Sequence, residues 1–225
     1  MIYVGLDGYR KGWVAVRVHG ETRELCFYSS ITELLTTKFD FAAVDMPIGL
    51  PAHGVRACDL EARQRLRPHA SRVFTGARRG LWEFASRAAA HAAMKTSGDS
   101  GVNCQLWNLF PKICELDAVM TPKLQRKIRE AHPELVFLRL NGGRPLPRKK
   151  DAEGRALRRR LLLKDGFVEL DEWLNVRRRG EGAQADDVLD GCAMAIAARD
   201  FHLGNALPRE RAEKDARGLT MQIWY

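Results

Sequence analysis

The sequence predicts one mixed α/β domain over residues 1–225, because strand-like and helical segments combine without an internal repeat or a low-complexity linker. Three strand-like runs in the first third, residues 2–6, 13–18 and 24–28, are joined by short connections that predict an antiparallel meander. A helix and a fourth apolar run, residues 41–44, come next. This order allows the fourth strand to return parallel to the first.

The rest of the chain is mainly helical in pattern. The segments with this pattern are residues 56–67, 82–95, 105–119, 123–131, 155–163 and 184–201. We expect the helices between about residues 52 and 128 to form an insertion in the middle of the domain. The last segment has the clearest pattern, because Val188, Leu189, Cys192 and Ile196 recur at helical spacing.

The charge balance favours an acidic partner. Lys and Arg number 37 against 28 Asp and Glu, which gives a formal charge of +9. Nucleic acid is such a partner, and a merely soluble basic enzyme is the alternative. The five cysteines are scattered and form no CxxC pair, so neither a disulfide framework nor a zinc cage is expected. Without a signal peptide or a membrane-length apolar stretch, we predict a cytoplasmic protein with no membrane partner.

Aspartates stand at the ends of two apolar strands and at the start of the last helix. Asp7 ends the first strand, Asp45 ends the fourth, and an acidic group of Asp186, Asp187 and Asp190 begins the helix. A carboxylate at the end of a buried strand is costly unless a cation meets it. Several that converge would supply the oxygen ligands of a magnesium site. The alternatives are a turn Asp, a strand-end Asp and a solvated acidic first turn.

Within the helical group we expect Asp186 to be the N-cap or a first-turn residue, whereas Asp187 and Asp190 share one helix face. A further acid, Glu134, follows a His-Pro pair. The proline keeps His132 out of helical geometry, which predicts an extended segment. Glu134 is therefore a candidate metal ligand, and His132 is a neighbouring ligand, a proton carrier or simply a partly buried histidine.

Basic residues form clusters that could hold a phosphate backbone, with a steep salt dependence. The candidates for nucleic-acid binding are Arg72, Lys149, Lys150, Arg155 and Arg159, and the run Arg177–Arg179 is a further cluster. For each of them a solvated surface is the alternative. The chain has no GxGxxG, GxxxxGK[ST] or GxSxG motif, so dinucleotide, P-loop and serine-hydrolase sites lack support.

Taken in order, several segments resemble the family of predicted ribonuclease H-like nucleases. They are residues 4–8 with Gly12 and Trp13, 44–50, 56–59, 71–74, Gln105 with 111–117, 132–134, 149–155 and 186–190. The resemblance implies a ribonuclease H-like fold, in which helices flank a mixed five-stranded sheet whose first three strands are antiparallel. It also implies that Asp7, Asp45 and Asp187 hold Mg²⁺ or Mn²⁺, with Asp190 or Glu134 assisting.

The predicted function is that of a metal-dependent nuclease that hydrolyses phosphodiester bonds by a two-metal mechanism, with the ions about 3.5 to 4 Å apart. One alternative is an actin-like or sugar-kinase-like phosphotransferase, although the second glycine-rich loop of such enzymes is missing. Another is a non-catalytic module that binds nucleic acid or protein. The sequence leaves open whether the substrate is DNA, RNA or a branched structure. It also leaves open the oligomeric state, a homodimer included.

Overall fold

The structure, a computed structural model, describes residues 1–99, 101–175 and 182–225. The run Arg177–Arg179 lies outside the described residues. The chain divides into two compact units. The sheet unit comprises Met1–Asp45, Lys127–Asn205 and Trp224–Tyr225, and the helical unit comprises Met46–Arg126 and Ala206–Ile223. Within the described part of the chain, no helix is both long enough and apolar enough to cross a membrane.

The strands and helices are numbered in chain order. The strands are β1 (Ile2–Tyr9), β2 (Gly12–His19), β3 (Thr22–Tyr28), β4 (Phe41–Val44), β5 (Ile128–Glu130), β6 (Ala206–Leu207) and β7 (Ile223–Trp224). The helices are α1 (Ile31–Leu35), α2 (Ala57–Arg65), α3 (Arg87–Thr96), α4 (Cys104–Val119), α5 (Pro133–Leu140), α6 (Ala152–Lys164), α7 (Leu170–Asn175) and α8 (Ala185–Arg199).

The sheet unit is built on a five-stranded sheet with the order β3-β2-β1-β4-β5. The first three strands pair antiparallel, and β4 pairs parallel with both β1 and β5. The α/β class and the mixed five-stranded sheet are therefore confirmed. Ser30 caps α1, because its side-chain oxygen accepts a hydrogen bond from the backbone N–H of Glu33.

Helix α8 lies directly against the sheet. Its residues from Val188 to Ala198 are buried, and it packs on β1, β2 and β4. The approach is so close at Gly5 that a Cβ atom there would lie 2.1 Å from both the Ala195 nitrogen and the Gly191 oxygen. Because Asp7 is two residues beyond Gly5 on β1, its side chain points to the same face of the sheet, toward α8.

Three segments differ from their predicted conformation. Residues 82–95 were expected to be helical, but α3 begins only at Arg87, after a 3-10 turn at Leu81–Glu83. Residues 123–131 were expected to be helical, but only a 3-10 turn, Leu124–Arg126, precedes strand β5. The backbone pairing of β5 with β4 overrides the weak local preference for a helix. The prediction of an extended segment is right only for His132, since α5 begins at the next residue, Pro133. Proline favours this first helical position, where its missing N–H costs nothing.

The helical unit contains α2, α3 and α4 and a partly buried ion-pair network. The Arg79 guanidinium donates to Asp117 at 2.8 Å and to Asp215 at 2.7 Å. Asp215 also accepts the backbone N–H groups of Leu50 and Leu219 at 3.1 and 2.9 Å. These contacts connect residues 206–223 to the rest of the unit, so that distant parts of the chain share one charge network.

Candidate carboxylate site

Asp7 and Asp45 lie side by side at one end of the sheet. Strands β1 and β4 are parallel and pair Leu6 with Val44, so each aspartate is the residue that follows. The Asp45 N–H donates to the Leu6 carbonyl at 3.1 Å, which continues the pairing to the aspartates themselves. The two residues therefore occupy neighbouring strands at the carboxyl end of the parallel pair, where ligands of open α/β sheets gather.

The start of α8 supplies two further carboxylates. Asp187 is the third residue of the helix, and its Oδ2 accepts the Gln184 N–H at 2.6 Å in a reciprocal capping box. Of the two places expected for Asp186, the N-cap is taken by Gln184, and the capping box places Asp187 at the third helical position. Asp186 lies in the first turn, and Asp190 follows one turn later with only 4% exposure.

Electrostatics joins Asp7, Asp45, Asp187 and Asp190 into one group, which we call the acid cluster. Burial raises the pKa of each of these carboxyls. Repulsion from Asp190 raises the pKa of the other three further, and the pKa values of Asp45 and Asp187 both reach about 6. Carboxylates that oppose one another's ionisation in this way are a favourable site for a cation.

Lys149 is the cation that meets the acid cluster. Its Nζ lies 2.7 Å from Asp190 Oδ2. Although burial acts in the opposite direction, the carboxylates of Asp190, Asp7 and Asp45 raise the pKa of Lys149 well above its usual range. The second oxygen of the same carboxylate, Asp190 Oδ1, is buried and accepts no hydrogen bond from any described residue. Lys149 thus satisfies one oxygen of Asp190 and leaves the other unsatisfied.

Glu134 is held in a buried ion pair. The Arg158 Nη2 atom lies 2.6 and 2.8 Å from the two carboxylate oxygens of Glu134, and Arg158 has 0% exposure. Its Nη1 donates to the carbonyls of Pro147 and Gly154 at 3.0 and 2.9 Å. His132 accepts the Glu134 N–H at its Nδ1 atom, 3.2 Å away. The structure therefore places Glu134 where it supports the loop before α6, beside the acid cluster.

Sequence reasoning did not single out Arg158. It stands among neighbouring arginines of α6, and only its helical phase distinguishes it, because this position of α6 is buried while those of Arg155 and Arg159 are exposed. The helical spacing of the other buried positions of α6 could have indicated that Arg158 faces the protein interior. Its partner, Glu134, lies 24 residues earlier in the chain, so no local sequence motif indicates the ion pair.

The basic residues predicted to bind nucleic acid occupy different settings. Lys150 and Arg155 are exposed, and Arg155 donates to the Lys150 carbonyl at 2.6 Å. Arg159, also exposed, pairs with Asp171 of α7. Arg72 lies in a 3-10 turn of the helical unit. Three exposed cations thus lie on α6 and the loop before it, whereas Lys149 is already paired with the acid cluster.

The donor chemistry of the acid cluster fits a hard divalent ion. Carboxylate oxygens are the ligands that Mg²⁺ and Mn²⁺ prefer, and Asp190 Oδ1 is a buried acceptor without a partner among the described residues. Within the described ranges, however, no group of three or more acids, histidines or cysteines is already arranged to hold a metal ion.

Comparison with known proteins gives one finding. No curated protein matched the chain, and no solved structure matched it. One protein-family model matches residues 5–213, a span that contains the acid cluster and Lys149. The chain belongs to the family described as Protein of unknown function (DUF429).

Proposed function

We propose that this protein is a divalent-metal-dependent nuclease that hydrolyses phosphodiester bonds in nucleic acid. The observation that carries the proposal is Asp190, a buried carboxylate with one unpartnered oxygen in an acid cluster whose members raise one another's pKa. A buried cluster of this charge is costly for folding unless a cation binds it. The sheet order also supports assignment of the sheet unit to the ribonuclease H-like fold.

In the proposed mechanism Asp7, Asp45 and Asp190 hold Mg²⁺ or Mn²⁺. The bound ion would supply Lewis-acid chemistry, which activates water and stabilises the leaving oxygen. The protein's own contribution is to hold rigid donors: Asp7 and Asp45 are fixed by the paired strands, and Asp190 by a buried helix. Their raised pKa values imply that ion binding releases any protons still bound near neutral pH.

The substrate would be held by exposed cations of α6 and the loop before it. Lys150 precedes α6, and Arg155 and Arg159 lie on that helix, whose buried Arg158 is bonded to Glu134. Phosphate contacts by exposed Lys and Arg fix a strand in position without reading its sequence. The overall charge of +9 supports the same partner.

The test is a cleavage assay with single-stranded DNA, duplex DNA, RNA and a four-way junction, each with Mg²⁺, Mn²⁺ or EDTA. We expect ion-dependent cleavage of at least one substrate and a loss of about 100-fold or more in Asp7→Asn and Asp190→Asn. Glu172→Gln, which removes one exposed charge from α7, is the control and should cleave normally. Cleavage that persists in EDTA or in Asp7→Asn would sink the proposal.

One observation favours a second candidate, a non-catalytic module that binds nucleic acid. In the described part of the chain no three potential ligands are already arranged for a metal ion. Such a module would bind nucleic acid equally well with Mg²⁺ and with EDTA and would cleave none of the four substrates. Stabilisation by ATP would instead support the phosphotransferase alternative.

A further inference from the structure

Lys149 contacts the acid cluster from a partly exposed position. Its Nζ contacts Asp190 Oδ2 at 2.7 Å, and its side chain is 40% exposed while that of Asp190 is only 6% exposed. The ammonium group therefore lies between the buried carboxylate and solvent. Its charge lowers the pKa of all four acids of the cluster, so it acts on the whole group and not on Asp190 alone.

The backbone that carries Lys149 is fixed by buried contacts. Arg158 donates to the Pro147 carbonyl at 3.0 Å and is itself bound to Glu134. Gly154 packs so closely on this segment that a Cβ there would lie 2.0 Å from the Arg148 oxygen. The segment just before Lys149 is thus anchored, and the flexible four-carbon side chain is the part that can move.

We propose that Lys149 is the built-in counter-ion of the acid cluster and competes with the divalent ion for Asp190. The inference rests on the proposed metal site and adds a residue that controls its affinity. A divalent ion on the unpartnered Asp190 Oδ1 would lie within a few ångströms of the Lys149 ammonium on Oδ2 of the same carboxylate, and the two cations would repel each other. Ion binding therefore drives Lys149 away from Asp190, and the work of separating that pair weakens the apparent affinity for the ion.

The direct test is calorimetric titration of Mn²⁺ into the full-length protein and its variants. Lys149→Met should bind Mn²⁺ at least about tenfold more tightly than the wild type, because the competitor is gone and the cluster is more negative. Lys150→Met is the matched control: it removes the same charge from the next residue, which is exposed, and should stay within about twofold of the wild type. Equal or weaker binding by Lys149→Met would overturn the inference.

A second measurement needs no variant and keeps the test valid if Lys149→Met does not fold. Lysine acetylation of the wild-type protein is quantified by mass spectrometry with and without Mn²⁺, with Lys150 as the internal reference. We expect Lys149 to react slowly without the ion, because its ammonium is paired, and several-fold faster with it. A Lys149 reactivity that Mn²⁺ leaves unchanged or reduces relative to Lys150 would contradict the inference.

These outcomes separate the inference from the proposed function. Mn²⁺ binding that is unaffected by Lys149→Met refutes the competition and leaves the nuclease proposal intact. Tighter binding by Lys149→Met without any cleavage supports the competition and refutes the nuclease. If neither the wild type nor Lys149→Met binds Mn²⁺, both fail.

Discussion

Replacement of Gly5 by alanine tests how the fold brings the acid cluster together. A Cβ at this position would lie 2.1 Å from the backbone atoms Ala195 N and Gly191 O, against at least about 3.4 Å for an ordinary contact. Strand β1 and helix α8 would have to separate by roughly 1.3 Å, the difference between these values. Both obstructing atoms belong to the backbone, so no side-chain rotation relieves the clash. Overpacking typically costs 1 to 3 kcal/mol, and here we expect at least about 3 kcal/mol.

The measurement is urea or thermal unfolding followed by circular dichroism. A loss of about 3 kcal/mol corresponds to a fall in Tm of roughly 6 to 12 °C for a chain of this size. Gly191→Ala is the control from the opposite side of the same contact, since its Cβ would meet only methyl groups of Val16 and Val14 at 3.3 and 3.4 Å. It should be nearly neutral, because alanine favours the helix. A loss below about 1 kcal/mol for Gly5→Ala would show that β1 and α8 are not held this close at Gly5.

Three further predictions address the ion pairs and charges of the sheet unit. Arg158→Met should cost about 3 to 5 kcal/mol because it removes the guanidinium that pairs with the buried Glu134 carboxylate, and adding Glu134→Gln should restore part of that loss in urea unfolding. A double variant as unstable as the sum of both singles would disagree. Burial and the Asp190 carboxylate raise the pKa of Asp45 from 3.8 to about 6, so the folded chain binds protons more tightly and its metal-free stability should fall as pH rises through that range. Asp45→Asn should reduce this loss of stability with rising pH. An unchanged pH dependence of stability in Asp45→Asn would count against a raised pKa of Asp45. Replacing exposed Lys150 and Arg155 by alanine should leave stability within about 0.5 kcal/mol of the wild type. The plot of log binding constant against log salt concentration for nucleic acid should become less steep by roughly one for each lost phosphate contact. An unchanged slope of that plot would mean that neither residue touches phosphate.

The sheet could be predicted from the sequence because its signals are local. The first three strands follow from apolar runs and short turns, and the parallel return of β4 follows from the intervening helix. Strand β5 could not be found in this way. It has three residues, and its strand conformation depends on pairing with β4, a partner more than 80 residues earlier in the chain.

The acids of the candidate site were identified from their places at strand ends and at a helix start. Their surroundings could not be read from the sequence, because they depend on contacts between distant residues. Lys149 was predicted to bind nucleic acid, but the structure pairs it with Asp190, 41 residues away. Glu134 was predicted to assist a metal, and its ion pair with Arg158 becomes visible only when α5 and α6 are in place. The role of Asp187 as a capping acid depended on which residue begins α8.

Binding of divalent ions by the acid cluster can be tested in a crystal structure of the protein with Mn²⁺. An anomalous difference map locates the ion independently of any assay. We expect a peak coordinated by carboxylate oxygens of Asp7, Asp45 and Asp190, with the Lys149 ammonium moved off Asp190. A map with no peak at these carboxylates, from crystals grown in millimolar Mn²⁺, would contradict it.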